Sequence, residues 1–322
     1  MSDGPTSRRP LLLAGIPRCG STWTMRALAT DPSILMVNEP DNEGRQPTAI
    51  WAKGDLGRFP TLEHGQDDER YRRLWDWALD GAPTNRRLLA AGKLLHGTSA
   101  GSRAEFFQGR RSPRMQLAGL LGAPPASGPV AELARRRLLV KTVHTPLALD
   151  WLTGTFDLDV VVLFRHPGNV LSSWRSLQLT DQFARVEDLP SVRRRIDSGS
   201  IPPRGSEPVE RTVWLIGLLT LALEEQVAKH PDWVVRTHEE LCRDPQDAFR
   251  RLFAEVDLPW TDGVEQFLVA NDRPGEGFVV TRVASDAPEA WKTRLDAEEI
   301  TTLQRVLSGF PLAGWSAEDY VP

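Results

Sequence analysis

The stretch that decides the fold is LLLAGIPRCGSTWTMRALAT, Leu11 to Thr30. Leu11 to Gly15 is a short apolar run of the kind that fills a buried parallel strand, and Gly15-x-Pro17 turns it into a loop. From Ser21 onward Trp23, Met25, Ala27 and Leu28 recur among polar residues at near-helical spacing, and Asp31-Pro32 closes that helix. Strand, glycine loop and helix in this order open a nucleotide-binding unit. Arg8-Arg9 ahead of LLLAGI imitates a secretion signal, but the apolar stretch has six residues and no small-residue cleavage site follows, so it reads as the first strand.

Three further runs repeat the pattern. LLV (Leu138 to Val140) enters Lys141, DVVVLF (Asp159 to Phe164) enters Arg165-His166-Pro167, and WVVRT (Trp233 to Thr237) follows an apolar helix and precedes the amphipathic DAFRRLFAEV. That apolar helix, VWLIGLLTLAL from Val213 to Leu223, falls short of the roughly 18 residues a membrane span needs and reads as buried. Strands alternating with helices predict an α/β fold: a P-loop-like three-layer domain with a central parallel sheet flanked by helices. The chain reads as a single domain over residues 1–322, with insertions or lids at about 44–137 and 193–208. Both are Gly-, Pro- and Arg-rich and show too little apolar periodicity for a core of their own.

Composition limits the partners. The 322 residues carry 34 arginines, 5 lysines and a net charge of −4, which argues against a surface built to grip nucleic acid. Two cysteines, Cys19 and Cys242, cannot form a disulfide framework, so a reducing, cytoplasmic setting is expected.

The chemistry concentrates in GIPRCGST, Gly15 to Thr22. Its glycines have the spacing of G-x-x-x-x-G-K-[ST], whose backbone N–H groups cradle phosphate at a helix N-terminus. The lysine is missing: position 21 is serine, and the cation has moved into the loop as Arg18. DVVVLF ends in Arg165, where an NTPase would place a metal-binding aspartate. The pattern therefore expects an anion held by arginine and hydroxyls, with no metal. RHPGNVLSSW supplies a second anion cradle on a second strand end, with Arg165 and, across a helix start, Ser172 or Ser173.

These segments resemble the sulfotransferases that use 3′-phosphoadenosine 5′-phosphosulfate (PAPS). PRCGSTW (Pro17 to Trp23) is similar to the family's 5′-phosphosulfate loop except at Cys19, and Arg165, Pro167 and Ser173 are similar to its 3′-phosphate motif. VRTHEELCRDP is similar to a further family segment, with His238 in a tyrosine position, and VVTRVASDAPEAWKTRL to its C-terminal cofactor-contacting stretch. The resemblance implies that PAPS is bound by Arg18, Cys19, Gly20, Ser21, Thr22, Trp23, Arg165, Ser173, Arg282 and Ser285, that no metal takes part, and that PAP is released.

It also implies roles at the reacting centre. Arg18 is the first cation for the transferring group, and Lys141 matches a strand-end lysine of the tyrosylprotein branch. Glu39, in DPSILMVNEP after the first helix, matches the base of the tyrosyl-protein and heparan branches. His144, in KTVH, stands one residue beyond the histidine of the small-molecule branch. On a continuing strand that extra residue would turn it to the opposite face, so Glu39 is the preferred base and His144 the alternative. The expected partner is a small-molecule or glycan acceptor, a carbohydrate, glycolipid or secondary metabolite, accepting on a hydroxyl or less readily an amine. A homodimer is compatible with the chain. The competing readings are a P-loop kinase and a non-catalytic nucleotide- or polyanion-binding module.

Overall fold

The computed structural model describes residues 8–54, 56–96, 112–126, 128–177, 179, 186–274 and 284–320. The run Leu11–Gly15 forms β1 and is buried along its length. The reason is its position: it pairs in parallel with β3 (Arg137–Thr142) on one edge and β4 (Asp159–Phe164) on the other. β2 (Ile34–Asn38) adds outside β3, and β5 (Val234–Thr237) outside β4. The sheet is five-stranded and parallel, in the order β2-β3-β1-β4-β5. From β1 the chain moves outward to β2, returns to β3 and crosses to β4. The order therefore reverses beside β1, which opens a crevice at the carboxyl ends of the central strands.

The strands differ from expectation in three places. β2 takes ILMVN just before Glu39, for which the sequence suggested no element; it is an edge strand whose four apolar residues are not all buried, with Met36 46% exposed. β3 continues through Thr142, which puts Lys141 inside the strand instead of beyond it. Trp233 precedes β5.

Helix α1 (Ser21–Leu28) follows the glycine loop. The region after β2 is helical: α2 (Pro47–Lys53), α3 (Glu69–Leu79), α4 (Arg86–His96) and α5 (Pro113–Leu120). Ile50, Leu95, Met115 and Ala118 make a small apolar cluster there, while Tyr71, Trp75 and Trp77 of α3 join the main core. Beyond β3 come α6 (Leu149–Thr155), then α7 (Pro167–Ser176) after β4, α8 (Pro190–Asp197) and α9 (Pro208–Lys229). Every residue of α9 from Thr212 to Leu223 is buried, because the helix packs against α7 on one side and α14 (Ala297–Leu307) on another. After β5 follow α10 (His238–Arg243), α11 (Pro245–Glu255), α12 (Asp262–Asn271) and α13 (Ala290–Arg294). Among the described residues no helix is long and apolar enough to cross a membrane.

Candidate active site

The loop between β1 and α1 is shaped by two left-handed residues, Arg18 (φ 72°) and Gly20 (φ 94°). Gly20 cannot be replaced without displacement: a Cβ there would lie 2.1 Å from Cδ2 of His238. Because Gly20 occupies the N-cap position, α1 begins without a side-chain cap. Its opening N–H groups are therefore directed at the loop, the arrangement that holds phosphate oxygens. Cys19 is fully buried beneath the loop, where burial pushes its thiol up and makes it a packing residue. Trp23 stands edge-on to Phe249 at 4.8 Å and to His238 at 6.0 Å.

The second motif joins the first, and the two expected cradles form one. Arg18 Nε donates to Ser173 Oγ at 3.0 Å, Arg165 donates to the Arg18 carbonyl at 2.8 Å, and the Trp174 indole N–H donates to the Pro17 carbonyl at 2.8 Å. α7 is thereby anchored to the loop from both sides. Arg165 Nε is buried without a hydrogen-bond partner among the described residues, and Ser172 is buried beside Ser173. The donor set of this cradle, two guanidinium groups, hydroxyls and uncapped helix amides, fits a phosphate-bearing anion.

Glu39 lies at the end of β2 in a left-handed conformation (φ 49°), with its N–H bonded to the Lys141 carbonyl at 2.7 Å. Its carboxylate is hydrogen-bonded and ion-paired to the Lys141 ammonium, and Asn42 donates to its second oxygen. The same ammonium reaches Thr22 Oγ1 at 3.3 Å, so one lysine links the carboxylate to the first turn of α1. Burial, the largest single influence, pushes the Glu39 carboxyl up; the Lys141 charge, the His144 imidazole and the hydrogen bonds from Lys141 and Asn42 together outweigh it and hold the carboxyl at about 2.

His144 follows the end of β3, so the strand-parity argument against it does not apply. It is buried; its Nδ1 lies 3.7 Å from Asp41 Oδ1 and its ring is edge-on to Phe59 at 5.9 Å. Burial, with Arg58 and Lys53 nearby, drives its imidazole well below the usual range, so it is neutral.

One cluster has no counterpart in the sequence reading. Asp41, Glu43 and Lys53 are all buried: Lys53 Nζ pairs with Glu43 at 3.0 Å and donates to the carbonyls of Asp41 (3.1 Å) and Arg58 (2.5 Å). Asp41 accepts from Thr142 Oγ1 at 2.7 Å. The cation that balances the acids of NEPDNE, Asn38 to Glu43, comes from α2. Asn169 and Glu239 were also not singled out; Asn169 donates to Glu239 at 3.0 Å and supports the first turn of α7. Arg282 lies outside the described residues, and of Ser285 only its place in the turn Ala284–Asp286 is described. Among the arginines of the insertions, Arg193, Arg194 and Arg195 pair at the surface with Asp188, Glu63 and Glu225.

No protein-family model and no curated protein matches this sequence. Solved structures do. The sulfotransferase domain from the curacin biosynthetic pathway is similar with a TM-score of 0.51 and 15% identity, over 95% of this chain and 99% of that one. Sulfotransferase STF9 from Mycobacterium avium (TM-score 0.41, 16% identity, 95% and 78% covered) is also similar. So is retinol dehydratase in complex with retinol and PAP (TM-score 0.37, 13% identity, 94% and 81% covered). The parallel sheet with its glycine loop is thus the sulfotransferase fold, by its likeness to the curacin-pathway domain.

Proposed function

We propose that this protein transfers a sulfuryl group from PAPS to a hydroxyl, or less readily an amine, of a carbohydrate, glycolipid or secondary-metabolite acceptor in the cytoplasm. The observation that carries the reading is the reach of Lys141, whose ammonium touches both the Glu39 carboxylate and Thr22 of the phosphate loop. A base and an anion-stabilising cation thus stand side by side at the mouth of an anion cradle. PAPS supplies an activated sulfuryl group on a phosphate leaving group.

The chain's own groups divide the remaining work. The loop amides, Thr22, Arg18 and Lys141 stabilise negative charge that develops on the transferring and leaving oxygens, which is expected to be the largest contribution. Arg165 and Ser173 fix the 3′-phosphate end of the donor. Glu39 takes the acceptor's proton. Paired with Lys141 its carboxylate is a weak base; when Lys141 turns to the developing charge, the interaction holding Glu39 down is removed and its basicity rises. His144, neutral and facing Asp41, is the less favoured base.

The test is Glu39→Gln, read by calorimetry with PAP and by transfer of labelled sulfate from PAPS to a panel of glycans and phenols. The variant keeps PAP affinity and loses transfer by about 10²–10⁴-fold. Wild-type protein that binds neither PAP nor PAPS defeats the reading. Transfer undiminished in Glu39→Gln defeats the choice of base.

A further inference from the structure

His166 follows Arg165 of the anion cradle and precedes the first residue of α7. Its ring is enclosed by the C-terminal segment: it stacks on Trp291 at 4.8 Å and 16°, lies 5.6 Å from Tyr320, and its Nε2 is 2.9 Å from the Asp319 carbonyl. Its Nδ1 is 3.1 Å from the Gly168 N–H and occupies the N-cap position of α7. A carbonyl can only accept and an N–H can only donate, so the two contacts require one tautomer, with the proton on Nε2 and the lone pair on Nδ1.

The surroundings of the first turn of α7 come from the same C-terminal segment. Asn169 donates to the Pro288 carbonyl at 2.8 Å and accepts from the Trp291 N–H at 3.2 Å. A Cβ on Gly168 would lie 2.8 Å from the Trp291 ring, so helix and segment are in direct contact. Phe164, on the other side of Arg165, packs edge-on against Trp315 at 5.9 Å. Arg165 is thus flanked by two residues held by the C-terminal segment, and its own guanidinium reaches the Arg18 carbonyl with Nε left buried and unpartnered.

We propose that His166 is a positioning residue of the anion cradle: by capping α7 through Nδ1 while its Nε2–H holds the C-terminal segment, it sets the angle at which Arg165 meets a 3′-phosphate. Trp291 and Asp319 of the C-terminal segment then contribute to donor affinity through the His166 ring. This rests on the sulfuryl-donor reading above, with Arg165 at the 3′-phosphate.

The experiment compares wild type, His166→Ala and His166→Asn by calorimetry with PAP and with adenosine 5′-phosphate, which lacks the 3′-phosphate. His166→Ala binds PAP about tenfold more weakly, as expected for a lost helix cap, with adenosine 5′-phosphate affinity unchanged. His166→Asn recovers most of the PAP affinity, because an asparagine oxygen accepts the same Gly168 N–H. Equal losses for both nucleotides, no loss for PAP, or no recovery with asparagine overturns the proposal. A measurement on the wild type guards against misfolded variants: long-range proton–nitrogen spectra of the His166 ring place the proton on Nε2, and a proton on Nδ1 overturns the capping role. Wild-type protein that does not bind PAP defeats the donor reading and this inference together, whereas PAP binding indifferent to His166 defeats this inference alone.

Discussion

Two charged regions meet at the carboxyl ends of the strands, and they are built on opposite principles. Around β1 and β4 the guanidinium groups donate to uncharged oxygens: Arg18 to a serine hydroxyl and Arg165 to a backbone carbonyl. Around β2 and α2 charges answer charges: Glu43 pairs with Lys53 and Glu39 with Lys141. In the first region, hydrogen bonds to hydroxyl and carbonyl oxygens hold the two guanidinium groups against the loop and α7. The second region is compensated internally and withdrawn from water, which suits it to holding a chain segment in place. Glu39 and Lys141 form the seam, and a shared lysine lets the two regions respond to each other.

Lys53→Met breaks the compensated region most severely. It leaves Glu43 buried without its partner, and stability falls by about 3–5 kcal/mol in urea titration. A loss below about 1 kcal/mol, the value for exposed pairs, would erase the distinction between the regions. Acid titration sharpens it next. Glu39 is held at about 2 against an ordinary 4.5, so its share of stability is complete above the unfolded value and is lost as pH falls from there toward 2. That share is on the order of 3 kcal/mol, and Glu39→Gln flattens the acid limb of the stability curve. Asp41 opposes it: burial pushes its carboxyl up, so acidification favours its folded form. On the loop side Gly20→Ala meets both a left-handed φ and the His238 ring, and costs about 1–3 kcal/mol in thermal unfolding. Smallest is Arg251→Ala, which removes an exposed pair with Asp247 inside one helix and shifts stability by less than about 0.5 kcal/mol.

How far each region can be read in the chain follows from the range of its interactions. The loop, its missing lysine, Arg165 at a strand end and Ser173 a few residues on are local patterns, and the fold carries them to one place. β2 escaped because a half-exposed edge strand of five residues has no distinctive period. Its loss hid the setting of Glu39, although the residue itself stood out by its order after the first helix. Lys53 stands 12 positions from Asp41, and nothing in its sequence neighbourhood marks it as buried. His166 caps α7 over a span of two residues; its contact with Asp319, 153 residues away, belongs to the tertiary structure.

The sequence by itself determined the parallel sheet, the glycine loop and the placing of Arg18 in that loop and Arg165 at a strand end, because hydrophobic periodicity and glycine spacing act over a few residues and survive any packing around them. Only the tertiary structure decided that Glu39 shares a lysine with Thr22, that the acids after β2 are buried against a cation from α2, and that the C-terminal segment closes on the His166 ring. Those contacts join residues about 70 to 150 positions apart or cross between inserted elements. They exist only because hydrophobic burial brings the strand ends together and leaves their polar groups to find partners there.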